Sequence, residues 1–327
     1  MKIAVTGSIA VDHLMKFPGR FRDSLVADKL SAVSLSFLVD DLQIRRGGVG
    51  PNIAFGLAKL GVKPILVGAA GSDFAEYASW LERHGVDIGS VKISEVHQTA
   101  RFVCTTDVER NQIASFYTGA MSEARDIELG PIAERVGGLD LVVISPNDPD
   151  AMLRHTEECR QRGLAFVADP SQQMARMDGP EIRQLIEGAA YLFTNEYESA
   201  LMFKKTGWTK NDVLERVGVC VTTMGPEGAS VEAQSLDTIL VSSAPEKNKV
   251  DPTGVGDAFR SGFLAGLSYG LDPKQCCQIG AMLATFVLET VGTQEYTFSR
   301  GEFIRRLSES YGADEKIELA LSTPARA

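Results

Sequence analysis

The sequence predicts an α/β protein built on a doubly wound, mostly parallel sheet, and three observations carry that reading. Short apolar runs rich in β-branched residues recur at 3–6, 65–67, 141–145, 165–168, 191–194 and 219–223. Amphipathic segments of helical length, such as 150–162 and 180–187, lie between most of them, which is the alternation of βαβ units with helices on both sheet faces. Two glycine clusters, at 47–50 and 254–256, each stand directly before a helix-like run. Ligands of such sheets gather at the carboxyl ends of the strands. That rule places Gly7-Ser8, Asp169-Pro170, Asn195-Glu196 and Thr223-Met224-Gly225 at one rim.

Composition narrows the partners. The chain has 327 residues, 44% of them hydrophobic, enough for a sizeable core in one large domain or two ordinary ones. A formal charge of −10 repels nucleic acid and anionic membranes from the average surface and leaves small molecules as the fitting class of substrate. Lys2-Ile-Ala-Val reads directly as a strand and no apolar run is long enough to span a bilayer, so the expected location is the cytoplasm. Five cysteines without a Cys-x-x-Cys spacing suggest reduced, mostly buried thiols. The four histidines form no metal-ligand pattern.

Taken in order, the first strand hands over to Ser8 and Asp12, the latter either a turn residue or a ligand for hydroxyls. Residues 17–46, with alternation across Val33, Leu35, Phe37 and Val39, and residues 100–116 read as strands without crossover helices, hence as hairpin insertions on the rim. Arg46-Gly-Gly-Val-Gly-Pro-Asn52 opens a helix over 52–60; Gly48 permits close approach to the backbone, and Asn52 offers a donor and an acceptor. Phe102 and Phe116 sit at strand spacing, where aromatics serve a core or stack a flat ligand. Asp169-Pro-Ser-Gln-Gln173 ends a strand and brings Gln172 and Gln173 to the rim. Asn195-Glu-Tyr-Glu198 has the form of a capped helix start.

The most informative stretch is Asp251-Pro-Thr-Gly-Val-Gly-Asp257-Ala-Phe259. Phe259, Phe263, Leu264 and Leu267 share one helical face, so a helix is expected from Asp257. Its free first amides, exposed by the Gly254-Val255-Gly256 turn, make a nest for a phosphate. Asp257 either caps the helix or acts beside that hole as a base on a hydroxyl. A carboxylate with an ordinary pKa of about 3.9 would already be ionised at neutral pH.

This stretch resembles the C-terminal signature of the ribokinase-like (PfkB) carbohydrate and nucleoside kinases, commonly Asp-Thr-Thr-Gly-Ala-Gly-Asp-Ala-Phe. The departures are Pro252, which removes one backbone donor, and Val255, which contributes only its amide. Gly47-Gly48 through Asn52 resembles the family's N-terminal Gly-Gly-x-x-x-Asn motif, Asn195 to Glu198 its Asn-x-x-Glu motif, and Thr223, Gly225 and Gly228 its Thr-x-Gly-x-x-Gly loop over ATP. The resemblance spans nearly the whole chain, and several stretches are similar to bacterial adenosine kinases of the actinobacterial type.

The resemblance implies a single catalytic domain of the three-layer ribokinase-like fold over 1–327, with a small β-sheet lid from insertions at about 12–46 and 99–119. It implies adenosine kinase activity, adenosine and MgATP giving AMP and ADP in purine salvage. Asp257 would be the general base, with the amides of Gly254, Val255 and Gly256 as anion hole. Ser8, Asp12, Gly48 and Asn52 would hold the ribose, Phe102, Phe116, Gln172 and Gln173 would serve the nucleoside, and Asn195, Thr223, Gly225, Gly228 and Gly256 would hold ATP. Glu198 would order Mg²⁺ through water, which suits a cation that keeps its hydration. Asp251 and Thr253, with a loop around 289–294, would hold K⁺; the alternative for Asp251 is a turn residue. A homodimer through the lid follows the family pattern, with Ser36 or Phe37 reaching the neighbour's substrate. The alternatives are another nucleoside or sugar kinase of the same fold, a ribokinase or an inosine/guanosine kinase, and a nucleoside-binding protein without catalysis. Walker A is absent from the sequence, and Phe259 stands where a dinucleotide-binding fingerprint wants glycine.

Overall fold

The computed structural model describes residues 1–24 and 34–322. Among these the strands are β1 (Ile3–Thr6), β2 (Ala10–Lys16), β3 (Asp41–Gly47), β4 (Ile65–Ala70), β5 (Asp87–Ile93), β6 (Ala100–Thr106), β7 (Gln112–Tyr117), β8 (Leu141–Ile144), β9 (Phe166–Ala168), β10 (Tyr191–Asn195), β11 (Val219–Thr223), β12 (Ala229–Ala233) and β13 (Leu236–Val241). Nine form one sheet in the order β13-β12-β11-β10-β9-β8-β1-β4-β5, parallel from β11 through β5 and closed on one side by the antiparallel edge strands β12 and β13. The other four, β3-β2-β6-β7, form a small separate sheet. This is the ribokinase-like α/β architecture.

The central strands are apolar on both faces because helices cover both. Ile3, Val5, Leu141, Val143, Val167, Phe193 and Val221 pack into the core beneath the helices Val49–Lys59, Val255–Ser268 and Pro273–Leu288. Ala4, Val67, Val142, Ile144, Phe166 and Leu192 point the other way, toward Pro149–Arg162 and Gly179–Ile186. Sequence fixes the helix starts by capping: Asp148 accepts from the Ala151 amide, and Asp178 with Glu181, Asn195 with Glu198 and Asp272 with Gln275 form reciprocal capping boxes.

Strand order reverses at β1, since the chain leaves it first toward β4 and β5 and later fills the side of β8 to β11. The rim beside β1 and β8 is therefore the topological switch point, where a crevice opens. The crossing segment there is short: Gly7 to Ile9 lead from β1 into β2, and the Ser8 amide donates to the Pro146 carbonyl at 2.8 Å. The small sheet is joined to the main body at four points, from β1 into β2, from β3 into the helix Val49–Lys59, from β5 into β6 and from β7 into the turns that begin at Gly119.

Three boundaries differ from the sequence reading. Residues 34–39 are irregular rather than strand, and Val33 lies outside the described residues. Phe37 packs on Phe17 and Phe21, at 4.9 and 5.0 Å between ring centres, so its alternating pattern served a local aromatic cluster. The helix expected at 52–60 begins at Val49, and the one expected at Asp257 begins at Val255. In both, the glycine turn continues straight into helical backbone, which periodicity of apolar side chains does not register.

The helices Val255–Ser268 and Pro273–Leu288 touch backbone to backbone at Gly262 and Gly280: a methyl on Gly262 would lie 2.6 Å from the Gly280 Cα and 2.7 Å from the Ile279 carbonyl oxygen. Neither neighbour is a side chain that can turn away. Gly262→Ala should therefore lower stability by about 1–3 kcal/mol, the usual cost of overpacking, despite its gain in helix propensity. Urea unfolding of the two proteins measures it, and an equal or higher midpoint for the variant contradicts the close contact.

Candidate active site

The crevice at the switch point contains a cavity of about 420 Å³, a size suited to a small-molecule ligand. Ser8, Asp12, Gly48, Asn52, Phe116, Gln172, Gln173, Gly254 and Asp257 line it. A second cavity of about 890 Å³ adjoins it, sharing Asp12, Thr253 and Thr293 and adding Phe102.

Two glycines shape the floor. Gly48 has φ +92°, and a Cβ there would lie 2.7 Å from the Ala10 amide nitrogen; Gly254 has φ +78°, and a Cβ there would meet the Thr293 methyl at 2.8 Å. Only glycine serves at either position. Each caps a helix without a side chain; at the first helix the Val49 and Gly50 amides turn to Ser8, whereas at the second the Gly256 amide is left without a partner among the described residues. Asp257, on the third residue of its helix, makes no cap bond, which disposes of the capping alternative. The Val255 amide donates to the Pro252 carbonyl at 3.3 Å, while the amides of Gly254 and Gly256 have no partner among the described residues.

Asp257 and Asn52 meet across these helix starts. The Asn52 side-chain NH₂ donates to Asp257 Oδ2 at 2.8 Å, and the Asn52 carbonyl accepts from Gln294 Nε2 at 2.9 Å. Sequence reasoning gave Asn52 to a sugar diol; in the structure its NH₂ reaches the carboxylate and its carbonyl reaches Gln294. Beneath, Arg260 donates to Asp169 Oδ1 at 2.6 Å and to the Gly256 carbonyl at 3.0 Å, a buried ion pair that braces the glycine turn. Burial lifts the Asp257 pKa from 3.8 to about 6; the Asn52 bond and the Arg260 charge pull it down, while Asp169 and Glu198 push it up. The ordinary value expected from sequence is thus replaced by one close to neutrality, because a carboxylate at the base of a crevice loses solvation.

Asp12 lies on β2 and not in a turn, opposite Phe102 on β6, which in turn pairs with Phe116 on β7. These three therefore share the face of the small sheet that looks into the crevice, and Phe116 is 44% exposed, so it is no core residue. Burial, with Glu295 nearby, raises the Asp12 pKa to about 6. Gln173 commits its NH₂ to the Asn147 carbonyl at 2.6 Å, leaving its own carbonyl oxygen without a protein partner; Gln172 is tied to Ser171. Ser8 Oγ accepts weakly from the Val49 amide at 3.4 Å. Met121 and Arg176 also line the cavity and carried no sequence motif.

Along the same rim, Asn195 and Thr223 are register partners at the ends of β10 and β11. Gly225 and Gly228 turn with φ +56° and +103° in the loop before β12. Glu198 receives the Asn195 amide on one oxygen at 2.8 Å and the Ser171 hydroxyl on the other at 3.2 Å. Asp251 accepts from the amides of Thr253 and Gly292, at 2.9 and 3.1 Å, tying the two loops together. Glu289 is not free for a cation: Arg306 takes both of its oxygens and the Lys247 amide one of them. Ser36 is exposed and lines neither cavity.

Comparison with known proteins agrees with this geometry. Residues 6–298 match the model of the pfkB family carbohydrate kinases. A nucleoside kinase of Methanothermobacter thermautotrophicus is 29% identical over 89% of this chain and 93% of its own. The structure of a Burkholderia thailandensis nucleoside kinase in complex with inosine superimposes with a TM-score of 0.83 at 31% identity, covering 95% of this chain and 99% of that one. The Methanocaldococcus jannaschii nucleoside kinase, an archaeal member of the ribokinase family, follows at 0.81 and 25%, covering 94% and 99%. The chain belongs to the pfkB family.

The raised Asp257 pKa has a consequence for stability without any substrate. The group binds its proton more tightly in the fold than in the unfolded chain, so its contribution favours the fold below the unfolded value of 3.8 and is lost as pH rises through about 6. Asp257→Asn, which keeps the acceptor for Asn52, should raise the melting temperature of the ligand-free protein at pH 8 and change it little at pH 4. An equal shift at both values would contradict the raised pKa.

Proposed function

We propose that this pfkB-family protein is an ATP-dependent nucleoside kinase that phosphorylates the ribose 5′-hydroxyl of adenosine, giving AMP and ADP. The observation that carries the reading is the meeting of Asp257, fixed by Asn52, with the unpartnered amides of Gly254 and Gly256 under a sheet face bearing Phe102 and Phe116. Asp257 removes the hydroxyl proton as the oxygen bonds to the γ-phosphorus, and the bond to the ADP oxygen breaks. The amides hold the phosphoryl oxygens meanwhile. A base with a pKa near 6 is ionised at neutral pH and still basic enough to take a proton late in the reaction.

The residues fit the expected ions. Glu198, an oxygen donor near Asp257 and Asp169, fits a hydrated Mg²⁺, which when bound neutralises phosphate charge. Asp251, joining the loops 251–253 and 291–293, fits K⁺ as a brace for the anion hole.

Adenosine, rather than another nucleoside, rests on the resemblance and on Gln173, a cavity-lining residue whose NH₂ is committed to the Asn147 carbonyl, so that its own carbonyl remains as an acceptor for an amine donor. Arg176 and the inosine complex of the Burkholderia relative favour a second reading, an inosine-type kinase, since a guanidinium donates to the six-position oxygen of hypoxanthine. A parallel assay of adenosine, inosine, guanosine and ribose separates them: adenosine should lead and ribose should trail. With the best acceptor, kcat/KM should fall below a pH near 6, and Asp257→Asn should lose roughly 10²- to 10⁴-fold in kcat while still binding nucleoside. Near-normal turnover of the variant removes Asp257 as the base.

The active form we propose is a homodimer through the small sheet. Its outer face carries Leu42, Ile44, Ile113 and Tyr117, each 46–61% exposed, on a sheet that covers only the crevice with its other side. Phe37 is engaged within its own chain, so Ser36 is the better placed to reach a neighbour. Light scattering at micromolar concentration should return twice the 35.3 kDa chain mass; a fully active monomer would rule the dimer out.

A further inference from the structure

Asn52 has two ends, and the chemistry around it decides which way they face. Asp257 is a carboxylate at neutral pH and only accepts, so the Asn52 NH₂ must face it and the Asn52 carbonyl must face away. That carbonyl meets Gln294, which is 1% exposed and offers its NH₂. The second hydrogen of the same NH₂ goes to the Tyr77 hydroxyl, whose own proton is given to the Gly47 carbonyl at 3.0 Å. Burial holds the Tyr77 phenol well above its ordinary pKa, so it keeps that proton throughout the working range. Each link is directional. Gly47 accepts, Tyr77 passes one donor on and receives one, Gln294 gives two, and Asn52 turns the last donor toward Asp257.

We propose that Gln294, anchored by Tyr77, is a positioning residue for catalysis: it fixes the Asn52 amide so that its NH₂, and not its carbonyl, addresses Asp257. The proposal rests on Asp257 being the base. It also ties the base to the glycine turn lining the crevice, since the chain of bonds ends on Gly47 beside Gly48. Gln294 leaves its own carbonyl oxygen buried without a partner, the cost of spending both hydrogens on this arrangement. The groups that face Asp257 otherwise are Arg260 on its own helix, Asp169 at the end of β9, Glu198 on the helix Glu196–Thr206, and the Tyr296 phenol, itself raised by burial and by Asp257. Gln294 changes none of these charges, so its loss reads out through Asn52 alone.

Gln294→Met keeps the side-chain length and removes both donors. With MgATP and the best acceptor of the nucleoside panel, kcat should fall about 10- to 100-fold, the scale seen when an outer hydrogen-bond partner of a functional group is lost, with KM for ATP nearly unchanged. The acid limb of kcat/KM should move to higher pH, because a freely turning Asn52 no longer favours the ionised Asp257. Tyr77→Phe should move the same two quantities in the same direction by less. A folded Gln294→Met protein with unchanged kcat and an unmoved limb overturns the proposal; should that variant fail to fold, the same result for Tyr77→Phe overturns it. Asp257→Asn assayed alongside separates the two levels. If it keeps turnover, the base assignment falls; if it loses turnover while the Gln294 and Tyr77 variants behave as wild type, only the positioning role falls.

Discussion

The hydrogen bond from Asn52 to Asp257 joins two residues 205 positions apart, and most of the architecture is arranged so that it forms. Each partner sits in the first turn of a helix opened by a glycine with positive φ, and both helices pack on the same sheet face. The Ser261 hydroxyl, one turn after Asp257, lies 2.7 Å from the Asp257 carbonyl and 3.1 Å from the Ile53 carbonyl, between the two helices where Gly56 leaves room for it. A helix start is the place in a fold where a carboxylate and unpaired amides stand together without mutual hindrance. Bringing two such starts face to face puts a carboxylate and unpartnered amides on one cavity floor.

Beneath that floor the polar groups carry a second constraint. Arg260 and Asp169 are both nearly inaccessible, and removing one would strand the other's charge at a cost of several kcal/mol. The pair is weak evidence for net stability and better understood as a brace, since the same guanidinium holds the Gly256 carbonyl. Nearby, Gln294 and Tyr77 order Asn52 with neutral hydrogen bonds. Charge supports the Gly256 turn, and directionality of neutral donors supports the Asn52–Asp257 bond.

Sequence revealed the parts of this that depend on local chemistry. The strand runs, the glycine turns, Asp257, Asn52 and the Asn195/Glu198 box are visible because each is a fixed residue type at a fixed spacing. The brace and the ordering residues were not, because Arg260, Asp169, Tyr77 and Gln294 acquire their meaning only from partners distant in sequence: 91 positions separate Arg260 from Asp169 and 217 separate Gln294 from Tyr77. The depth of Asp257 in the crevice, which sets its pKa, is likewise a property of packing. Residues 34–39 misled for the opposite reason, since a local aromatic cluster produces the same alternation as a strand. The antiparallel edge β12–β13 was not among the runs read from sequence; β13 is apolar at four of its six positions yet exposed along most of its length.

The central place of β1 has a consequence for how the molecule is made. Its residues pair on one side with β4 and on the other with β8, from Ile3 against Leu141 to Thr6 against Ile144. A chain emerging from the ribosome therefore holds its first strand half-paired until more than a hundred further residues have followed, and its apolar surface must wait in the meantime. The floor of the crevice waits longer still, until Asp257 has been added and then Gln294. Chains cut short anywhere before that point carry the sheet's hydrophobic strands without the groups that complete the site, which makes interrupted synthesis a source of sticky, inactive fragments rather than of partial enzymes.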